Sequence, residues 1–120
     1  MYHMPVINEE LFFSALAHMT RRRIVVLLVG AGELCVCDIF SALEQPQAKV
    51  SRHLAVLRDS GVVTVRRQGT WIYYRLNTKL PQAFRQIVDG VLKVPDQRQR
   101  GALDRLRLIT ARKQLERCRQ

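Results

Sequence analysis

Two cysteines separated by a single residue carry the clearest potential for chemistry in this sequence. Cys35 and Cys37 lie in the stretch ELCVCD at positions 33–38. Thiolates are soft ligands, and soft ions prefer them to nitrogen or oxygen ligands. Because residues i and i+2 of a regular helix point about 200° apart, two such thiols can share one ion only at or before a first helical turn. The pair therefore predicts an ion site at a helix N-terminus, which is also expected to lower the thiol pKa.

Other uses of the two thiols remain open at this point. Cysteine also serves as a small buried hydrophobic residue. Zinc or cadmium would need further ligands, and His3 and His18 are the candidates outside the pair. A disulfide between Cys35 and Cys37 is disfavoured because so short a ring would be strained. A thiol enzyme such as a reductase is expected to show a C-x-x-C spacing or a phosphate-cradling loop, and neither is visible, so no enzyme is predicted.

The elements that must position the thiols follow from apolar spacing. Helical periodicity predicts helices over residues 8–19, 20–29, 36–43 and from 47 to the glycine at 61, with 33–35 as a loop. Asn8 and Thr20 are the expected N-caps of the first two helices. Residues 62–67 and 70–76 alternate around the turn signal Gln68-Gly69 and predict a β-hairpin. The core residues expected from the first helix are Leu11, Phe12, Ala15, Leu16 and Met19.

Two further segments lie after the hairpin. Residues 80–92 form the cleanest apolar stripe of the chain, and this stripe is either intramolecular core or a face covered by a second copy. A ragged stripe within 97–120 indicates one more helix in a basic region that either touches DNA or is merely solvated. At 120 residues the chain is expected to form one domain, residues 1–94, followed by a basic and partly helical C-terminal tail, residues 95–120.

The charge of the chain points to its partners. A formal net charge of +10 favours a polyanion such as nucleic acid, with an anionic membrane surface as the weaker alternative. The longest apolar run, residues 24–29, is far short of the roughly 20 residues that span a bilayer, so no membrane helix is expected. The N-terminus lacks the pattern of a secretory signal, and a cytoplasmic location is expected.

The order of a short helix, a turn, a second helix and a two-stranded ribbon predicts a winged helix-turn-helix. The second helix of such a motif enters the major groove of DNA. Its polar face carries Gln47 and Arg52, which can read base edges, and Lys49 and Ser51, which more often hold phosphate. His53 is either a DNA contact or a partly buried structural residue.

The predicted tip of the ribbon is basic and polar. Arg66, Arg67 and Gln68 are the candidates there for contacts to phosphates or to a narrow minor groove. The alternative is that they are ordinary solvated charges, since most surface arginines contact nothing. With the polar face of the second helix, they make up the predicted DNA-binding surface.

Several motifs together resemble the ArsR/SmtB metalloregulatory repressors. They are VSRHL at 50–54, Leu57-Arg58, Gly61, RRQG at 66–69 and YYRL at 73–76, and the resemblance spans Asn8 to Leu92. It implies a mainly α fold with a small β-hairpin, a winged helix-turn-helix that forms a homodimer. The implied interface consists of the helices near 8–19 and 80–93, and the implied partner is double-stranded operator DNA.

The ELCVCD stretch is similar to the arsenic-sensing motif of the ArsR branch. The resemblance implies a repressor that binds its operator without a cofactor and dissociates when As(III) or Sb(III) is chelated by Cys35 and Cys37. The family often has a third cysteine three residues after the second, where this chain has Phe40. Water, a small thiol or Cys118 is then the third ligand. An organoarsenical, cadmium or zinc inducer, or a DNA-binding protein without any ligand, are the alternatives.

Overall fold

The computed structural model describes the backbone of residues 7–118 and the side chains of residues 7–113. His3 and the side chain of Cys118 therefore lie outside the described residues. The helices are α1 (Glu9–Leu16), α2 (Met19–Ala31), α3 (Val36–Leu43), α4 (Gln47–Asp59), α5 (Gln82–Lys93) and α6 (Pro95–Cys118). The strands are β1 (Glu33–Cys35), β2 (Val63–Gln68) and β3 (Trp71–Leu76).

The junction of α1 and α2 differs from the sequence prediction. Asn8 caps α1 as expected, because its side chain accepts hydrogen bonds from the backbone N–H groups of Glu10 and Leu11. However, α1 ends at Leu16, and the cap of α2 is His18, whose Nδ1 accepts from the backbone N–H of Thr20 at 3.1 Å. Met19 is therefore the first residue of α2 and is exposed, and Leu11 lies on the exposed face of α1, so neither belongs to the core as predicted.

The segment at 33–35 is a strand and not the predicted loop. β1 pairs antiparallel with β3, and β3 pairs antiparallel with β2, so the sheet has the order β1-β3-β2. The hairpin of β2 and β3 is confirmed, and Gly69 in its turn adopts φ 62, a left-handed conformation that favours glycine. β1 was missed because its hydrogen-bond partners lie about forty residues later in the chain.

The core fills the space between the helices and the inner face of the sheet. It contains buried residues of α1, α2, α3 and α4 and of the three strands, together with one residue of α5 and one of α6. The fully buried large side chains are Phe12, Ile24, Val25, Leu28, Leu34, Ile39, Val50, Leu54, Leu57, Val62, Val63 and Val88. The mainly helical fold with a small sheet that the sequence predicted is thus confirmed.

The last helix packs on the rest of the chain along α2 and α3. At Gly101 the backbone of α6 lies so close to α2 that an added Cβ atom would be 2.9 Å from the side-chain atom Cγ1 of Val26. Nearby, Asp104 accepts hydrogen bonds from Arg23 of α2, and Leu108 is buried. The boundary proposed at residue 94 stays a prediction. Along the described part of the chain, no helix is long and apolar enough to cross a membrane.

Candidate thiol site and nucleic-acid interface

The two thiols lie where β1 gives way to α3. Cys35 is the last residue of β1 and also the N-cap of α3, with φ −79° and ψ 163°. Cys37 lies in the first turn of α3 and is exposed, whereas Cys35 is half-buried. Because the backbone at Cys35 is extended, the 200° separation of a regular helix does not apply between the two residues. Regular helix geometry therefore does not force the two thiols apart at this boundary.

Asp38 connects the thiol site to the last helix. The Sγ of Cys35 donates a hydrogen bond to Oδ2 of Asp38 at 3.3 Å. The same oxygen accepts from the guanidinium of Arg112 in α6 at 3.4 Å, and the two side chains form an ion pair. Neither contact was predicted, because Arg112 lies 74 residues after Asp38 and no local pattern links them.

The pKa of the Cys35 thiol is raised and not lowered as the sequence argument predicted. Partial burial is the main cause, and the side chain of Asp38 acts in the same direction. The backbone N–H of Asp38 opposes these effects but does not outweigh them. At neutral pH the ion-free site thus holds a protonated Cys35, and an ion must displace that proton to bind.

The described residues supply two thiols and no complete metal cage. No group of three or more histidine, cysteine, aspartate or glutamate side chains that could hold a metal occurs among them. Phe40, at the position of the third family cysteine, packs against the core. His18 uses its Nδ1 to cap α2. Two thiols at a helix start suit a thiophilic ion that takes its remaining ligands from elsewhere. They suit a structural zinc ion less well, because zinc is usually held by four protein ligands.

Five of the eight predicted DNA contacts lie on α4, and three of these five are on its exposed face. Gln47, Ser51 and Arg52 are exposed, and Lys49 and His53 are half-buried. The opposite face of the helix is held in the core by its three buried aliphatic side chains. The structure therefore leaves the N-terminal half of α4 free to enter a major groove.

His53 is held in a small polar cluster at the junction of α1 and α2. Its Nδ1 accepts a hydrogen bond from Arg21 at 3.2 Å, and its ring lies 4.3 Å from the ring of His18, centroid to centroid. Burial is the main cause of the lowered pKa of His53, followed by the positive charges of His18, Arg21, Lys49 and Arg52. These contacts hold His53, in the middle of α4, against the junction of α1 and α2.

We expect the pKa of His53 to make the fold less stable in acid. Because the pKa of His53 is lower in the folded state, the unfolded chain binds more protons than the folded chain below about pH 6.5. The free energy of unfolding therefore falls as the pH drops from the pKa of His53 in the unfolded chain to its pKa in the folded chain. The variant His53→Gln keeps an acceptor for Arg21 and does not titrate. Urea unfolding at pH 7.5 and at pH 5.5 should show a smaller acid loss in this variant, and an equal loss would contradict the assignment.

The arginines of the wing, the β2–β3 hairpin, differ in their surroundings. Arg66 donates from Nε to both carboxylate oxygens of Glu33 at 2.9 Å and from its terminal NH2 group to Oε1 at 2.6 Å. Its other terminal nitrogen donates to Oε1 of Gln68 at 2.8 Å, and its guanidinium lies 4.6 Å from the ring centroid of Tyr73. Hydrogen bonding to Arg66 lowers the pKa of the Glu33 carboxyl. Arg67 is exposed.

Comparison with known proteins agrees with this architecture. The family model described as "Bacterial regulatory protein, arsR family" matches residues 18–65. The arsenic resistance transcriptional regulator ArsR1 of Pseudomonas putida is 44% identical over 91 residues, which are 75% of this chain and 71% of that protein. The arsenical resistance operon repressor of Escherichia coli K12 is 52% identical over 77 residues, which are 64% of this chain and 66% of that protein.

A solved structure shares the fold as well. A possible transcriptional regulator for arsenical resistance superposes with a TM-score of 0.57 at 33% identity, covering 79% of this chain and 91% of that one. The winged-helix prediction is thereby confirmed. The matching family consists of DNA-binding regulators, so the expectation that the chain is not an enzyme is confirmed too. The chain belongs to the ArsR family of bacterial regulatory proteins.

Proposed function

We propose that this chain is a transcriptional repressor that binds operator DNA without a ligand and releases it when As(III) or Sb(III) binds Cys35 and Cys37. One observation carries the proposal. The two thiols occupy the N-cap and first turn of α3, the first helix of the helix-turn-helix, so their ion site is built into the DNA-binding motif. The relatives named for arsenic resistance support the same inducer.

The short path from thiol to DNA explains how an ion weakens binding. α3 ends at Leu43, and α4 begins at Gln47. Drawing the two thiols onto one ion changes the backbone at the start of α3, and α3 packs against α4. The ion releases DNA only if it binds more tightly to a conformation with lower DNA affinity. A rearranged α3 that misplaces α4 is such a conformation.

The DNA contacts divide by chemistry. Gln47 and Arg52, both exposed, suit base edges, because glutamine pairs with adenine and arginine with guanine through two hydrogen bonds. Ser51, Lys49 and Arg67 suit phosphates. These residues lie on α4 and the wing, the two elements that a winged helix places in or beside DNA grooves.

A second copy of the chain is the proposed protein partner. In α1, Leu11 and Phe13 are 52% and 48% exposed, which is unusual for large apolar side chains on one short helix. In α5 only Val88 is fully buried although the apolar stripe continues through Phe84, Ile87 and Val91. A homodimer through α1 and α5 covers both faces and presents two α4 helices to a two-fold symmetric operator. The dimer acts in the cytoplasm, where cysteine thiols stay reduced.

The inducer is the part of the proposal with the most alternatives. As(III) and Sb(III) are soft and favour three sulfur ligands, and the described residues offer two thiols. Water, a small thiol or Cys118 completes the site. An organoarsenical needs fewer protein ligands and is the first alternative, followed by cadmium and zinc.

A titration of operator release tests the function. A DNA sequence is first selected from a random pool by the ion-free protein, labelled, and followed by fluorescence anisotropy. Arsenite, methylarsenite, antimonite, cadmium and zinc are then added to the wild type and to Cys118→Ser. We expect arsenite or antimonite to release the DNA at the lowest concentration. If none of the five ions changes DNA binding, the proposal is wrong and the chain is a ligand-independent DNA-binding protein.

Restoring the family's third cysteine is expected to tighten arsenite binding. In Phe40→Cys a third thiol stands one helical turn after Cys37, on the same side of α3. We expect arsenite to bind at least about tenfold more tightly, a gain of roughly 1.4 kcal/mol, with a smaller change for methylarsenite, which offers fewer positions. Phe40→Leu is the control for the lost ring. Isothermal titration with both ions measures the effect, and an unchanged ratio of the two affinities would contradict the two-thiol site.

A further inference from the structure

The ion pair of Glu33 and Arg66 joins the strand that carries Cys35 to the wing. Glu33 lies two residues before Cys35 in β1, and Arg66 lies in β2, on the far side of β3. Three hydrogen bonds connect the guanidinium with the carboxylate, and both oxygens take part. A planar fork of this kind fixes orientation as well as distance, which a single contact between two charges does not.

The register of the sheet strengthens this connection. Cys35 is paired with Tyr73, and Tyr73 is paired with Arg66, so the three residues form one row across β1, β3 and β2. Residues directly opposite each other in antiparallel strands have their side chains on the same face. The Arg66 guanidinium also stacks on the Tyr73 ring. Arg66 is thus held by Tyr73, its neighbour in the row, and by Glu33, which lies outside this row, two residues before Cys35 on β1.

We propose that Arg66 is a positioning residue that couples the thiol site to the wing and not a ligand of DNA phosphate. This inference rests on the proposed function, because it gives the inducer a second route to the DNA besides α3 and α4. All three guanidinium nitrogens of Arg66 already donate hydrogen bonds to Glu33 or Gln68. A DNA phosphate would therefore have to compete with the Glu33 carboxylate for Arg66. Arg67, the next residue, has no ion pair within the described residues and is the phosphate contact of the wing.

The coupling follows from what an ion does at Cys35. When the thiol is drawn toward Cys37, the end of β1 moves, and Glu33 moves with it. The bonded Arg66 transmits this movement to β2 and tilts the wing relative to α4. A network of this kind typically changes coupling by 0.5–2 kcal/mol, which corresponds to about a 2- to 30-fold change in the ratio of DNA affinities with and without the ion.

The salt dependence of DNA binding separates the two roles of a wing arginine. Each lost phosphate contact lowers the slope of log K against log salt by about one. We compare Arg67→Gln with the double variant Glu33→Gln–Arg66→Gln, which removes the ion pair without leaving an unpaired carboxylate. The slope is expected to fall by about one in Arg67→Gln and to stay unchanged in the double variant. A fall of about one in the double variant would overturn the proposal.

The second measurement follows inducer-driven release in Glu33→Gln and Arg66→Lys. Lysine keeps the charge but cannot form the two-pronged contact or stack in the same way. The ratio of operator affinities with and without arsenite is expected to drop at least about 3-fold in both variants, while arsenite affinity of the DNA-free protein stays at the wild-type value. Arg67→Lys is the matched control and should keep the wild-type ratio.

The outcomes distinguish this inference from the proposed function. If the wild type releases DNA on arsenite and both variants keep its full ratio, the coupling through Arg66 is wrong and the repressor function stands. If the wild type itself does not release DNA, both proposals fail together. A reduced ratio in Glu33→Gln and Arg66→Lys with a normal ratio in Arg67→Lys supports the coupling.

Discussion

Replacing Cys35 or Cys37 by serine is expected to weaken arsenite binding at least about 100-fold. Removing a residue that only hydrogen-bonds to a metal ligand lowers metal affinity 10–100-fold, and here a ligand itself is removed. A serine hydroxyl has nearly the shape of a thiol but is a hard donor that stays protonated at neutral pH. Because Cys37 is exposed and Cys35 only half-buried, we expect both variants to fold and to bind DNA like the wild type.

Isothermal titration of arsenite into the reduced protein, in a buffer without competing thiols, measures this effect. Cys118→Ser is the control, since it removes the cysteine that lies outside the pair. A third-ligand role of Cys118 would appear as a smaller loss in this control. Wild-type arsenite affinity in Cys35→Ser or Cys37→Ser would show that the ion binds elsewhere.

Removing the Asp104 carboxylate is expected to lower the free energy of unfolding by about 3–5 kcal/mol. Asp104 is 1% exposed and accepts from Arg23 at 2.7 and 3.1 Å and from Arg107 at 3.3 Å. In Asp104→Ala the charge of Arg23, itself largely buried, has no carboxylate to compensate it. Arg23 also donates to the carbonyl oxygen of Leu43 at the end of α3, so the helix-turn-helix is expected to loosen as well.

Urea unfolding at a fixed protein concentration checks the stability of this variant. Asp59→Ala is the control, because Asp59 also pairs with an arginine but its side chain is 72% exposed, and exposed pairs contribute at most about 1 kcal/mol. If Asp104→Ala does not fold, Asp104→Asn, which keeps hydrogen-bond acceptors, takes its place. A loss no larger than that of Asp59→Ala would contradict the role given to this ion pair.

The parts of the fold with strong local patterns were predictable from the sequence. The apolar spacing of α3 gave its observed limits, Val36 and Leu43, and Asn8 caps α1 as expected. The hairpin followed from alternation around Gln68-Gly69. In each case residues a few positions apart determine the structure, so periodicity and turn chemistry are sufficient to recognise it.

The parts that depend on distant partners could not be predicted. β1 is three residues long and exists because it pairs with β3, so the segment resembled a loop. α6 shows a ragged apolar stripe because the face it turns to α2 includes Asp104, whose ion pair replaces an apolar contact. A sequence pattern places a carboxylate at the surface, because the buried arginine that pairs with it is not evident from the sequence.

The candidate site shows the same division. The types and spacing of Cys35 and Cys37 were sufficient to propose a soft-ion site at a helix start, and the structure places them there. The raised pKa of Cys35 was not predictable, since burial and Asp38 outweigh the effect of the helix terminus. The ion pair of Arg66 with Glu33 was not predictable, because Glu33 lies 33 residues earlier in a strand that the sequence did not reveal.

Operator release by arsenite in the double variant Cys35→Ser–Cys37→Ser, measured beside the wild type, tests the central claim most directly. Fluorescence anisotropy of labelled operator DNA follows both proteins at equal fractional saturation, so that any difference in DNA affinity is matched before the ion is added. Full release is expected from the wild type near one arsenite per protomer, and none from the double variant over the same range. Equal release from the two proteins would contradict that claim.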